Sequence, residues 1–391
     1  MRPFAAGTER DLADAVADWA RGLTPVIAEA EKAGAIPRGV IADLGRLGVL
    51  GMTIPERDGG LGASSVAFAL VLEELAAAWP SLSVGVAVNS GIVAGTIVRH
   101  GTAEQRAQLL PRLLDGIGLG AFALTEPTSG SDAAALRTTA RRDGEGWRID
   151  GRKQFITNAR YAPFAIVFAR VGEADRVVAS RPGAPSPAHA GITAFVVPLD
   201  AQGVSVGPHE RKLGLHASDT SALVLDGARV GAGAVLGEEG KGFAMALAGL
   251  DGGRIGIAAQ AVGIARAALS VARAYARDRK QFGRAIGEFD GVRFPLAELE
   301  ARLAAARMLA LRAAWLKDRG RPFTRQASMA KLFASEMAQK ATHAAVQTLG
   351  GNGYMRDYAV ERYARDGRAT TIYEGTSEIQ RLVIARSLLA A

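Results

Sequence analysis

The sequence predicts an α+β multidomain chain in the order helix, β, helix: an N-terminal α-helical domain over 1–117, a middle β-barrel or sandwich over 118–232, and a C-terminal four-helix bundle over 233–391. Three observations predict it. Residues 8 to about 115 repeat apolar side chains at helical spacing. From about 118 to 230 short alternating runs stand between turn residues, and from about 238 the helical period returns in much longer segments. A chain of 391 residues is also long for one compact core, so two or three domains are expected.

Taken in order, Leu12, Val16 and Trp19 share one helical face, and Ile41, Leu44 and Leu47 repeat the spacing. The run from Ile54 to Gly62 is turn chemistry between two helical pairs. A helix from about Ser65 to Ala78 precedes an apolar one through Ile92 and Val98. Strands are expected at Trp147–Gly151, Phe164–Ala169, Thr193–Pro198 and Ser221–Leu225, with a Pro/Gly-rich hairpin tip at Arg181–Pro187. The bundle helices run from Phe243 to Tyr275, through Val292, Leu296, Leu299 and Leu303, through Leu332, Phe333, Met337, Ala341 and Leu349, and from Ile379 to Leu389. Their alanine-rich faces imply close packing.

Composition narrows the function. The net charge of +8 is spread along the chain, and basic clusters such as Arg277-Asp278-Arg279-Lys280 are broken by acids. A nucleic-acid groove needs a continuous basic stripe with interleaved aromatics, so no nucleic-acid partner is expected. The excess suits an anionic small ligand or an acidic protein equally. With no cysteine there is no thiolate chemistry, and the five histidines lack metal-ligand spacing, so no metal is expected. The apolar stretch Val84 to Val98 contains Asn89 and Ser90 and falls short of a bilayer span. Acids within the first fourteen residues leave no apolar signal core, so a cytoplasmic soluble protein is expected.

The most informative run is Ile372 to Arg381. Glu374 stands between Tyr373 and Gly375 just ahead of a helix, and Ser377 with Gln380 matches a capping box, which would free backbone N–H groups beside the carboxylate. Such a carboxylate suits a base whose substrate becomes an anion; taken alone, the triplet suits a solvated surface residue equally well. Four hydroxyls and a glycine between Phe122 and Asp132 form a loop able to meet a planar heterocycle or a phosphate, or simply a polar turn. Phe155 beside Thr157 and Asn158 offers a stacking face with a polar rim, or one exposed phenylalanine on a strand edge. Arg279 at the end of a long helix can clamp a diphosphate. Gln347 to Tyr354 ends another helix in glycines open to close approach. Gly252 and Gly253 sit inside a helix at about 1 kcal/mol each relative to alanine, which points to close packing there or to a kink.

Separately each feature is weak, but together their order and spacing resemble the acyl-CoA dehydrogenases. The motifs are L-T-E-P-x-x-G-S-D at 124–132, F-I-T-N at 155–158, R-x-x-F-G at 279–283, Q-x-L-G-G-x-G-Y at 347–354 and Y-E-G-T-S-E-I-Q-R at 373–381. The likeness runs from about residue 8 to the C-terminus, and the last third is most similar to the short-chain, butyryl-CoA branch.

The resemblance implies FAD-dependent α,β-dehydrogenation of an acyl-CoA to the trans-2-enoyl thioester. Glu374 would take the α-proton, and its amide, with a flavin hydroxyl, would hold the thioester carbonyl. Phe122, Leu124, Thr125, Gly130 and Ser131 would line the flavin, Phe155, Ile156 and Thr157 would flank its ring, and Ser131 would also reach the pantetheine arm. Arg279, Phe282, Gln347, Leu349, Gly350 and Gly351 would grip the adenine-diphosphate half from a neighbouring subunit, with Thr376, Ser377 and Glu378 completing the pyrophosphate site. Asp251, Arg254, Tyr373 and Gly375 would contact the substrate. An electron-transfer flavoprotein and a homotetramer are implied as well. The same chemistry on an acyl carrier protein, an oxidase, or a non-catalytic acyl-CoA binder are the alternatives.

Three departures stand out. Gly253 occupies a position where some branches of the family carry the base, Phe155 replaces a common tryptophan, and Asp290 replaces a glutamine that helps to bind FAD. Ala94 and Gly95 are small, which predicts an acyl pocket longer or wider than one for butyryl groups.

Overall fold

The computed structural model describes residues 7–171 and 189–389; the Pro/Gly-rich segment 181–187 lies outside them. Helices α1 (Gly7–Arg21), α2 (Thr24–Ala33) and α3 (Arg38–Arg46) lead to α4 (Ser65–Ala78). Then α5 (Pro80–Val86), a π-helical stretch (Ala87–Ala94) and α6 (Gly95–His100) run on as one helix, and α7 (Ala103–Leu109) and α8 (Pro111–Leu114) follow. Ser64 caps α4 by accepting from Ala67 N at 3.0 Å. Asp318, from the distant bundle, accepts from Ser65 N at 2.7 Å and so docks the two regions together.

The Pro80–His100 run corrects one expectation. It is helical over 21 residues, and by length and composition both it and the first bundle helix could cross a membrane; both are mostly buried inside the fold. Asn89 and Ser90 do not interrupt it, because their polar atoms are satisfied internally. Asn89 accepts from Gly120 N at 2.7 Å, and Ser90 donates to Leu50 O at 2.8 Å.

The middle region contains β1 (Ala121–Ala123), β2 (Thr139–Asp143), β3 (Gly146–Thr157), β4 (Phe164–Val171), β5 (Ile192–Pro198), β6 (Val204–His209), β7 (Thr220–Val230) and β8 (Val235–Leu236). They form one sheet in the order β6-β7-β3-β2-β4-β5-β8, with β1 added beside β4. The path is open, but the sheet folds over: Trp147 on β3 meets Phe195 on β5 edge to face, 5.2 Å between ring centres. The inward faces of both halves then share one core. Strands β1, β2, β6 and β8 escaped the sequence reading because they are short or, in β6, half-exposed throughout.

The bundle opens with α9 (Gly242–Asp278), followed by the small hairpin β9 (Lys280–Gln281) and β10 (Arg284–Ala285), then α10 (Asp290–Asp318), α11 (Thr324–Leu349), α12 (Val360–Ala369) and α13 (Ser377–Leu389). Buried alanines such as Ala258, Ala261 and Ala265 on α9 and Ala327, Ala334 and Ala338 on α11 let these helices pack closely. The amphipathic α12 was missed in the sequence because its surface is almost all charged. On α11 Met337, Ala341 and Leu349 face inward as expected, and the first turn of that face differs. Lys331 is fully buried, whereas Leu332 and Phe333 are only half-buried.

Candidate active site

The turn before α13 is built backwards from its carbonyls. Glu374 holds φ at 53° and Gly375 at 93°, a left-handed pair that costs a non-glycine residue some strain. The Gly375 carbonyl accepts from Lys331 Nζ at 2.7 Å and from Gln380 Nε2 at 2.9 Å. Gln380 also reaches the Glu374 carbonyl at 3.2 Å. With the carbonyls tied inward, the N–H groups of Glu374, Gly375 and Thr376 find no acceptor among the described residues. Tyr373 anchors the other side, its hydroxyl 2.5 Å from Gln260 Oε1 on α9.

The expected capping box is corrected by one residue. Thr376 caps α13, accepting from Ile379 N at 3.3 Å. Ser377 instead donates its hydroxyl to Glu336 at 2.7 Å and its N–H to Thr371 O at 3.0 Å, so both its donors are spent within the chain rather than on a pyrophosphate. Glu378 is exposed on the first turn.

Glu374 has a half-buried residue envelope but a fully enclosed carboxylate, and neither oxygen has a hydrogen-bond partner among the described residues. Burial pushes its pKa up to about 7, against the pull of the Lys331 and Arg254 charges. Its nearest wall is α9. A Cβ on Gly253 would overlap Glu374 Oε2 and stand 2.8 Å from Cδ, and 2.9 Å from Ile92 Cδ1. The double glycine of α9 therefore makes room for the carboxylate itself. One turn earlier, a Cβ on Gly249 would touch Phe122 at 3.9 Å and Thr96 Oγ1 at 3.4 Å, which brings the 122–132 loop to the same face. Arg254 is buried and paired with Asp251 at 2.5 Å, and Thr324 bonds the other Asp251 oxygen at 2.5 Å. Only Nη1 of Arg254 is engaged, its buried Nε having no partner among the described residues, and Asp251 with Thr324 forms the more open edge.

A buried ion pair holds the 122–132 loop in shape, and nothing in the spacing of the sequence reveals it. Glu126 accepts from Lys153 Nζ at 2.7 Å and from the backbone of Arg137 and Thr138 at 2.6 and 3.0 Å, while Lys153 also donates to Leu124 O at 3.2 Å. Leu124 is buried, so only its backbone can face a ligand; Thr125 is half-buried, and Gly130 and Ser131 are exposed. A bulge between Lys153 and Ile156 turns Phe155 outward, with φ at 58° and 59% of its surface exposed. Ile156 is buried and paired with Ser221 on β7, and Thr157 is paired with Thr220. Asn158 is buried, bonding Gly85 O at 3.0 Å and Gly120 O at 3.1 Å.

The remaining candidates lie elsewhere. Arg279 is about 39 Å along α9 from Gly253 at helical rise. It begins the β9–β10 hairpin, where Phe282 is 94% exposed. Asn352 binds the Tyr275 hydroxyl at 3.0 Å, so the glycine-ended terminus of α11 flanks the same end. Gln347, Gly350 and Gly351 are exposed there; Leu349 is buried and supports them. Asp290 is paired with Arg293 of its own helix at 2.7 Å. One chain thus carries two separated clusters of candidate residues.

The acyl-CoA dehydrogenase N-terminal domain matches residues 7–117, the middle domain 121–228 and the C-terminal domain 240–389. The chain belongs to the acyl-CoA dehydrogenase family. It is 43% identical over 367 residues to the short-chain specific mitochondrial acyl-CoA dehydrogenase of Bos taurus, covering 94% of this chain and 86% of the relative. The butyryl-CoA dehydrogenase of Megasphaera elsdenii superposes with a TM-score of 0.93 at 37% identity, over 98% of this chain and 99% of that one. The glutaryl-CoA dehydrogenase of Mycobacterium smegmatis, in complex with FADH2, gives 0.91 at 32%, over 100% and 96%. This acyl-CoA dehydrogenase is accordingly an oxidoreductase that dehydrogenates an acyl-CoA thioester with FAD as cofactor. Its residues fit that cofactor. Phe155 presents an uncovered ring, and Gly130, Gly350 and Gly351 have open space where a side chain would stand. The Arg279 guanidinium has no ion-pair partner among the described residues.

Proposed function

We propose that Glu374 is the base that removes the α-proton of the thioester. The observation that carries this is its enclosed carboxylate, without a hydrogen-bond partner, beside three free backbone N–H groups. An unbonded carboxylate whose pKa lies at about 7 is poised to accept a proton near neutral pH. The Glu374 N–H, turned outward by the left-handed backbone, serves the thioester oxygen, whose developing charge needs a fixed donor. FAD bound beside this turn would supply the acceptor for the hydride of the β-carbon. Tyr373 and Gly375 border the thioester, and Asp251 with Ser131 meets the pantetheine side.

Phe122, Thr125 and Phe155, with the backbone of Leu124, hold the flavin end. Arg279, Phe282, Gln347, Gly350 and Gly351 hold the adenine-diphosphate end of a neighbouring subunit's FAD, since about 39 Å of α9 separates them from Glu374 in one chain. Thr376 is the pyrophosphate contact of its turn; Ser377 is not. The three domains bounded near 117 and 232, a homotetramer, a cytoplasmic location and an electron-transfer flavoprotein as oxidant complete the reading.

Two predictions arise here. Arg279→Glu lowers FAD affinity by roughly 10- to 100-fold through a lost charged hydrogen bond, and Glu374→Gln leaves FAD bound but unreduced. Co-assembled, the two inactive proteins regain activity at sites that combine one intact half from each. Mixed oligomers that stay inactive would contradict the shared site. The second concerns the pocket. Gly95 has only Ser90 O at 3.7 Å where a side chain would stand, and Ala94 is buried. A kcat/KM series from butyryl to dodecanoyl thioesters is expected to peak beyond butyryl; a sharp maximum at butyryl would refute the wider pocket.

The activity itself is tested by anaerobic addition of acyl-CoA to the yellow protein, which should bleach its flavin band. Failure with every CoA ester and success with a carrier-bound acyl group would move the substrate to a carrier protein.

A further inference from the structure

Lys331 is the most deeply buried cation near the site, with no exposed surface in the middle of α11. A lysine in such a place is costly unless its charge is used. Among the described residues it forms no ion pair within 4 Å, and its hydrogen bond is to the Gly375 carbonyl, one residue beyond Glu374. The other charged groups around it are engaged. Arg254 on α9 is held by Asp251, Glu336 on its own helix takes the Ser377 hydroxyl, and Glu378 on α13 faces Arg381. Glu374 is the remaining charge, and its carboxylate has no direct partner.

We propose that Lys331 is a positioning residue for Glu374: its ammonium ties down the Gly375 carbonyl, so that the turn's N–H groups face outward, and its charge keeps the neighbouring carboxylate ionised without bonding it. This rests on Glu374 being the base. The geometry explains the arrangement. A lysine bonded to the carboxylate itself would spend the lone pairs that must take the proton. One carbonyl away, it lends its field and leaves both oxygens free. Burial draws the lysine down to about 8, and the Glu374 charge opposes that fall.

The sign is explicit. A positive charge favours ionised Glu374, so removing it raises the pH at which the base becomes active. Three substitutions separate charge from hydrogen bond. Lys331→Met removes both, Lys331→Gln keeps an amide donor without charge, and Lys331→Arg keeps both. Two readouts apply to each holoenzyme: the acid limb of the kcat–pH profile, and the Glu374 carboxyl titration by infrared difference spectroscopy with Glu374→Gln as the blank. Met and Gln are both expected to move limb and titration upward by about one unit or more, with activity recovering at higher pH, while Arg stays near wild type.

A Gln variant with an unshifted limb and titration would overturn the proposal, since the tie alone would then suffice. If Met does not fold, Gln decides by itself. Activity in Glu374→Gln would instead sink the base assignment, so the two failures are distinguishable.

Discussion

Glu374→Gln is expected to slow flavin reduction by butyryl-CoA by roughly 10²–10⁴-fold, the usual worth of a placed base, with FAD content and acyl-CoA binding retained. The substitution is nearly isosteric, so the wall formed by Gly253 and Ile92 still fits it. The nearby Asp251 is committed to Arg254 and Thr324. Anaerobic stopped-flow measurement of the flavin band checks it, and a variant reducing its flavin at the wild-type rate would remove Glu374 from the chemistry.

Gly253→Ala is expected to be nearly as damaging, although it adds a single methyl group to a helix that alanine otherwise favours. That methyl would overlap Glu374 Oε2 and press on Ile92. The carboxylate must then rotate or shift, and a displacement of about 1 Å at a reacting group can cost about 10²-fold. The measurement is a comparison of kcat with Tm. The account predicts a large fall in kcat with Tm unchanged or slightly raised, and an unimpaired kcat would mean that the carboxylate does not use this wall. The neighbouring Gly252→Ala serves as control, since its Cβ would meet only Lys317 Nζ at 3.6 Å and Gly91 O at 3.9 Å.

The helix–β–helix order was legible because hydrophobic periods survive in long elements. The helix Ser65–Ala78 was placed to the residue, since Ser64 caps it and Trp79 leaves it in an extended conformation. The site was legible as a set of motifs, and less so as geometry. Left-handed backbone at Phe155 and Glu374 has no mark in the residue type, because neither is a glycine. The capping box failed because two residues could cap, Thr376 and Ser377, and spacing alone favoured the one that pairs with Glu336 instead. Buried charge was the least visible. Nothing in the spacing around Lys153 or Lys331 marks either as buried, and only their partners, far away in the chain, show why they point inward.

The role of Glu374 is tested most directly by hydrogen exchange at carbon 2. Acyl-CoA held anaerobically with the holoenzyme in D2O should gain deuterium at the α-carbon, read by mass spectrometry, and Glu374→Gln should bring that exchange down to the level seen without protein. Undiminished exchange in the variant would contradict the account.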